Sequence, residues 1–121
     1  MKILLVDDSK AMRLIVRRAL KEAGYGRETI AEATNGDEAF GLIQADCPDV
    51  VLCDWNMPVT NGIELLEKIT SAGLKLKFGF VTSEGTPEMR ARAEAAGAKF
   101  LIAKPFTADD IQTALDKEFG R

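Results

Sequence analysis

The chain has 121 residues and a mass of 13.2 kDa, which suits one domain, residues 1–121, with a real hydrophobic core. Its net charge of −3 argues against a bulk electrostatic grip on nucleic acid, and its apolar runs of four or five residues are too short to span a membrane. With no histidine in the chain, histidine catalysis, the usual zinc sites and a histidine phosphocarrier role are all excluded.

The N-terminus opens into Ile3-Leu4-Leu5-Val6 without the long apolar stretch of a signal peptide. That run predicts the first strand. A helix follows, because Met12, Ile15, Val16, Ala19, Leu20 and Ala23 recur at helical spacing and are expected to face inward. Ser9 is its expected N-cap and Gly24 its stop. Lys10, Arg13, Arg17, Arg18 and Lys21 are left to face outward, either as a solvated helix face or as a dock for an acidic kinase domain. Thr29–Ala33, a mixed run, predicts the second strand, and Leu42 with Ile43 marks the second helix.

Val50–Cys53 is the third strand, and Leu65, Leu66 and Ile69 mark the third helix. The cysteines, Cys47 and Cys53, are expected to be packing residues in a reducing compartment, hence a cytoplasmic protein. Trp55 is expected to be a partly exposed loop residue. Phe78–Val81 is the fourth strand; Thr86-Pro87 then supplies a cap and a first-turn proline for the fourth helix. Ala91, Ala93, Ala95 and Ala96 anchor that helix lightly, which reflects either plain helix propensity or a mobile output element. Phe100–Ala103 is the fifth strand, and Thr107 with Asp110 forms a capping box before Ile111, Ala114, Leu115 and Phe119. The chain is expected to end just after the last helix, at Gly120-Arg121, leaving no output domain.

Strands alternating with helices predict an α/β fold: a parallel five-stranded sheet with five helices on both faces. Continuous apolar strands suit burial on both sides. The mixed second strand belongs at an edge, and the wholly apolar first and third belong at the centre.

In such sheets ligands bind beyond the carboxyl ends of the strands. Here those ends are Asp7-Asp8, Asp54, Thr82-Ser83 and Lys104-Pro105. Any one of them could be ordinary loop polarity, but four together predict a crevice. Three carboxylates converging at about 5 Å would repel by roughly 3 kcal/mol per pair. A divalent cation removes that repulsion, and an all-oxygen donor set selects a hard ion, Mg²⁺ before Ca²⁺. With Lys104 opposite, the set meets the needs of phosphoryl transfer: positioning and charge neutralisation.

The stretches Val6-Asp7-Asp8-Ser9, Asp54-Trp55-Asn56-Met57-Pro58, Gly62, Val81-Thr82-Ser83-Glu84 and Lys104-Pro105-Phe106-Thr107 resemble the receiver domains of two-component response regulators, the single-domain chemotaxis regulators above all. The resemblance runs from Ile3 to Phe119 and implies the flavodoxin-like strand order 2-1-3-4-5. It implies that Asp54 is the phosphoacceptor, a nucleophile toward a histidine kinase, in a switch that is not an enzyme. It implies that Asp8 ligates Mg²⁺ directly, Asp7 through a water, and Asn56 through its backbone carbonyl. Lys104 and Thr82 would hold phosphoryl oxygens, while Asn56 and Glu84 would tune hydrolysis. The peptide before Pro105 would be cis. The implied partners are a histidine kinase and a downstream protein such as a flagellar motor switch, with no nucleic acid and no membrane, the chain acting as a monomer. A phosphorelay shuttle outside chemotaxis, or a receiver excised from a larger protein, is the alternative.

Leu101 departs from the family, which carries an aromatic switch residue there. Without a polar tip it is expected to prefer a buried position even before phosphorylation, with Phe100 on the opposite face. Three rivals fare worse. An aspartyl-phosphate phosphatase wants an acid where Asn56 stands. A flavodoxin-type carrier would meet repulsion from Asp7-Asp8, and a phosphorylation-independent scaffold has no use for the crevice charges.

Overall fold

The computed structural model describes all residues from Met1 to Arg121. Five parallel strands, β1 (Lys2–Val6), β2 (Thr29–Ala33), β3 (Val50–Cys53), β4 (Lys77–Thr82) and β5 (Phe100–Ala103), form one sheet in the order β2-β1-β3-β4-β5. The helices are α1 (Lys10–Leu20), α2 (Gly36–Ala45), α3 (Gly62–Ser71), α4 (Pro87–Ala96) and α5 (Ala108–Phe119). The expected fold and strand order are therefore those observed.

Alternation along the strands builds two cores. Leu4, Val6, Val51, Cys53, Phe78 and Phe80 pack with α2, α3 and α4 on one face. Ile3, Leu5, Val50, Leu52, Val81 and Ile102 pack with α1 and α5 on the other. The mixed strand β2 lies at the edge, paired only with β1. Phe100 and Leu101 point to opposite faces, as the two-residue strand period requires.

Local signals in the sequence hold up where they depend only on near neighbours. Ser9 caps α1 by accepting from the Met12 amide, and Thr86 caps α4 ahead of Pro87. Thr107 and Asp110 form both bonds of the capping box on α5. Gly24 takes φ +94° in the wider turn Lys21–Tyr25 that closes α1.

Three expectations about single side chains need correction. Ile15 is 49% exposed, because α1 rests on the sheet through Val16, Ala19 and Leu20, and Ile15 lies off that stripe. Cys47 is exposed in the turn before β3, so only Cys53 is a packing residue. Trp55 is buried, its ring lying 4.6 Å from that of Phe80 at a 34° tilt. An aromatic partner on the neighbouring strand covers it, which its loop position does not reveal.

Candidate functional site

The site forms because the ladder continues past the strand ends. The Asp54 amide donates to the Val6 carbonyl at 2.9 Å, the Asp7 amide to Ala33 at 3.2 Å, and the Lys104 amide to Thr82 at 2.7 Å. These bonds set Asp7 beside Asp54 and Lys104 beside Thr82. Ligand atoms of Asp7, Asp8 and Asp54 all lie within 4.8 Å of one another. Asp7 is buried, Asp54 half-buried and Asp8 exposed, so the cluster opens to water on one side. Lys104 Nζ stands 3.4 Å from Asp7 Oδ2 and 3.7 Å from Asp54 Oδ1. The Lys104–Pro105 peptide is cis.

Burial raises the Asp54 carboxyl above its ordinary range, and the charges of Asp7 and Asp8 push the same way. Lys104 and the Trp55 amide oppose the shift without cancelling it. The adjacent Cys53 thiol is pushed up by full burial and by Asp54 and Asp7. It therefore stays protonated and donates to the Asp54 carbonyl at 3.1 Å, leaving an all-oxygen donor set. One lysine against three carboxylates leaves uncompensated negative charge, which fits a hard divalent cation.

The remaining site residues are distributed around this cluster. Thr82 is fully buried at the end of β4, its hydroxyl accepting from the Glu84 amide at 3.3 Å. Asn56 and Glu84 stand exposed on the β3–α3 and β4–α4 loops. Leu101 was expected to be buried but is half-buried. It packs on the α3–α4 side of the core below Gly85, with Arg90 Nη1 donating to its carbonyl at 3.3 Å. The thin alanine face of α4 leaves a groove of about 500 Å³ beside it, lined by Arg90, Glu94, Lys99 and Phe100.

Two features were not foreseen. Arg13 does not face solvent: its Nη1 donates to the Asp7 carbonyl at 2.7 Å, and its Nε to Glu32 at 2.7 Å. Arg17 shares Glu32, whose carboxyl is held below its ordinary range chiefly by that hydrogen bond. The other feature is the buried hydroxyl of Thr60, which donates to Asp37 Oδ1 at 2.6 Å. Neither partner is near in sequence, so no local pattern signals the contact.

The response regulator receiver domain family matches residues 3–116, and the chain belongs to that family. It is 40% identical to the chemotaxis protein CheY-3 of Vibrio cholerae, over 100% of this chain and 93% of that one. It is 36% identical to the chemotaxis protein CheY1 of Helicobacter pylori, over 99% and 98%. Among solved structures it superimposes on the Vibrio cholerae chemotaxis protein CheY4 with a TM-score of 0.84, at 30% identity and 96% coverage of both chains. No helix is long and apolar enough to cross a membrane.

Proposed function

We propose that the protein is a phosphorylation switch of two-component signalling whose Asp54 accepts a phosphoryl group from a histidine kinase. The observation that carries this reading is the convergence of Asp7, Asp8 and Asp54 within 4.8 Å, with Lys104 3.7 Å from Asp54. An Asp54 carboxylate oxygen attacks phosphorus as the P–N bond of the donor phosphohistidine breaks, and the leaving imidazole takes a proton. Asp8, Asp54 and the Asn56 carbonyl, with Asp7 through a water, would hold Mg²⁺, which would neutralise charge on the phosphoryl oxygens. Lys104 pairs with one of those oxygens, and the buried Thr82 hydroxyl turns from its local bond toward another. Asn56 and Glu84 flank the path of the hydrolytic water. The protein catalyses nothing beyond its own phosphorylation and dephosphorylation.

The phosphorylated form acts as a cytoplasmic monomer, binding a partner through α4, β5 and α5. The identities with chemotaxis proteins favour a chemotaxis pathway and a target such as a flagellar motor switch. The half-buried Leu101 replaces the family's aromatic switch, so the β4–α4 loop carries much of the conformational response. Acetyl phosphate with Mg²⁺ should add one phosphoryl mass, labile to hydroxylamine and absent with EDTA or in Asp54→Asn. Label that persists in Asp54→Asn, or that sits stably on Ser or Thr, would sink the assignment.

A further inference from the structure

Only three polar or charged residues are buried: Asp7, Thr82 and Thr60. Asp7 and Thr82 belong to the crevice. Thr60 lies in the β3–α3 loop, and its hydroxyl donates away from the crevice, to Asp37 Oδ1 in the first turn of α2 at 2.6 Å. Lys68 of α3 reaches the same oxygen at 3.3 Å. One carboxylate oxygen therefore ties together α2, the loop and α3. The approach is close enough to require Gly36, since a Cβ there would lie 2.7 Å from Thr60 Cγ2 and from the Thr60 carbonyl.

The loop that is held in this way is strained. Thr60's amide donates to the Pro58 carbonyl at 2.9 Å, closing a three-residue turn around Val59 at φ +70°. A γ-turn with positive φ is rare, and a β-branched residue is among the least suited to it. Val59 gains no burial in return, being 76% exposed. Such a conformation persists only where its surroundings over-determine it. One restraint is the Gly62 amide, which donates to the Trp55 carbonyl at 2.9 Å. The Thr60–Asp37 bond is the other, and between the two restraints lie Asn56 and the strained turn.

We infer that the Thr60–Asp37 hydrogen bond positions the β3–α3 loop for cation binding, holding the Val59 turn so that the Asn56 carbonyl stays in register with Asp54. This rests on the cation site proposed above. Thr60 is thus a positioning residue. It touches neither the ion nor the phosphoryl group.

The experiment is a Mg²⁺ titration of the full chain, followed by the fluorescence of Trp55, the only tryptophan. Thr60→Val keeps the shape and removes the hydroxyl; it should raise the Mg²⁺ dissociation constant several-fold with the far-ultraviolet circular dichroism unchanged. Thr60→Ser should stay near wild type. Glycine tolerates positive φ, so Val59→Gly added to Thr60→Val should recover at least half of the lost affinity. A purely structural Thr60 would lower the melting temperature in Thr60→Val without moving Mg²⁺ affinity, and that result overturns the inference. So does a Val59→Gly change that recovers nothing. A wild-type protein that fails to bind Mg²⁺ overturns the cation site itself. The clasp is then judged on amide exchange without metal from Asn56 to Gly62, which Thr60→Val must speed and the added Val59→Gly must slow again.

Discussion

Helices α3 and α4 have ten residues each and pack side by side on the same face of the sheet, yet they are held very differently. Helix α3 buries Gly62, Ile63, Leu65, Leu66 and Ile69, whereas α4 buries Ala93 alone. The difference follows from sequence: large aliphatic side chains recur along α3, and alanines along α4. Burial of each large side chain is worth about 1.5–3 kcal/mol, so α3 is the fixed member of the pair. Helix α3 begins where the Asp54 loop ends, and α4 begins where the Thr82 loop ends. The well-packed helix therefore backs the loop of Asp54, while the lightly packed one follows the β4–α4 loop proposed above to carry the response. Arg92 of α4 adds a thread to the β3–α3 loop, its guanidinium lying 6.0 Å from the centre of the Trp55 ring.

The sharpest way to break this contrast is truncation of matched side chains. Leu66→Ala in α3 should cost about 2–5 kcal/mol in urea unfolding. Met89→Ala in α4, where the side chain is half-buried, should cost about 1 kcal/mol. Equal losses would show that α4 is as firmly packed as α3.

Next in size are two glycines that bound these helices. A Cβ at Gly62 would lie 2.5 Å from the Asp54 carbonyl and 2.7 Å from Phe80 Cε1. Gly62→Ala should cost about 1–3 kcal/mol through overpacking, and it should alter Trp55 fluorescence. Gly97, at φ +108°, closes α4, and a Cβ there would meet only Thr70 Oγ1, at an ordinary contact distance of 3.8 Å. Gly97→Ala should cost about 1 kcal/mol through backbone strain alone and leave Trp55 unchanged. A Trp55 response to Gly97→Ala, or none to Gly62→Ala, would contradict the division of labour.

A more local effect concerns α5, which shares the proposed partner-binding face with α4 and β5. Tyr25 fastens it, donating to Asp116 at 2.6 Å under the Arg121 guanidinium. Burial, and then the Asp116 hydrogen bond and charge, push the Tyr25 hydroxyl up to about 12. A raised pKa means that folding favours the neutral phenol. Its stabilisation is full below the ordinary value of about 10 and is lost as pH rises through about 12. Tyr25→Phe should cost about 1.5 kcal/mol at neutral pH and flatten stability between pH 10 and 12, measured by urea unfolding. A variant whose alkaline profile matches wild type would mean that Tyr25 does not tie α5 down.

Much of this molecule is legible along the chain, and the legible parts share a physical basis. Ser9, Thr86 and Thr107 could be read as caps because a cap bonds an amide two or three residues away. The crevice could be read because parallel strands bring their carboxyl ends to one edge, so Asp7, Asp54, Thr82 and Lys104 needed only the strand assignment. The helix pattern alone turns Arg13 outward, because its partners, Asp7 just past β1 and Glu32 in β2, come from segments whose adjacency that pattern does not contain. The Thr60–Asp37 bond leaves no local signal for the same reason, its partners being 23 residues apart.

By itself, the sequence determined the order of elements, the caps that start the helices, and which polar residues end the strands. These depend on the periods of strand and helix and on bonds between near neighbours. Tertiary structure alone decided that Trp55 is buried on Phe80, that Ile15 is bare, that Leu101 is only half covered, and that Asp37 clasps the loop of Asp54. Each of these depends on what another element brings within reach, and packing sets that only when the whole chain has closed.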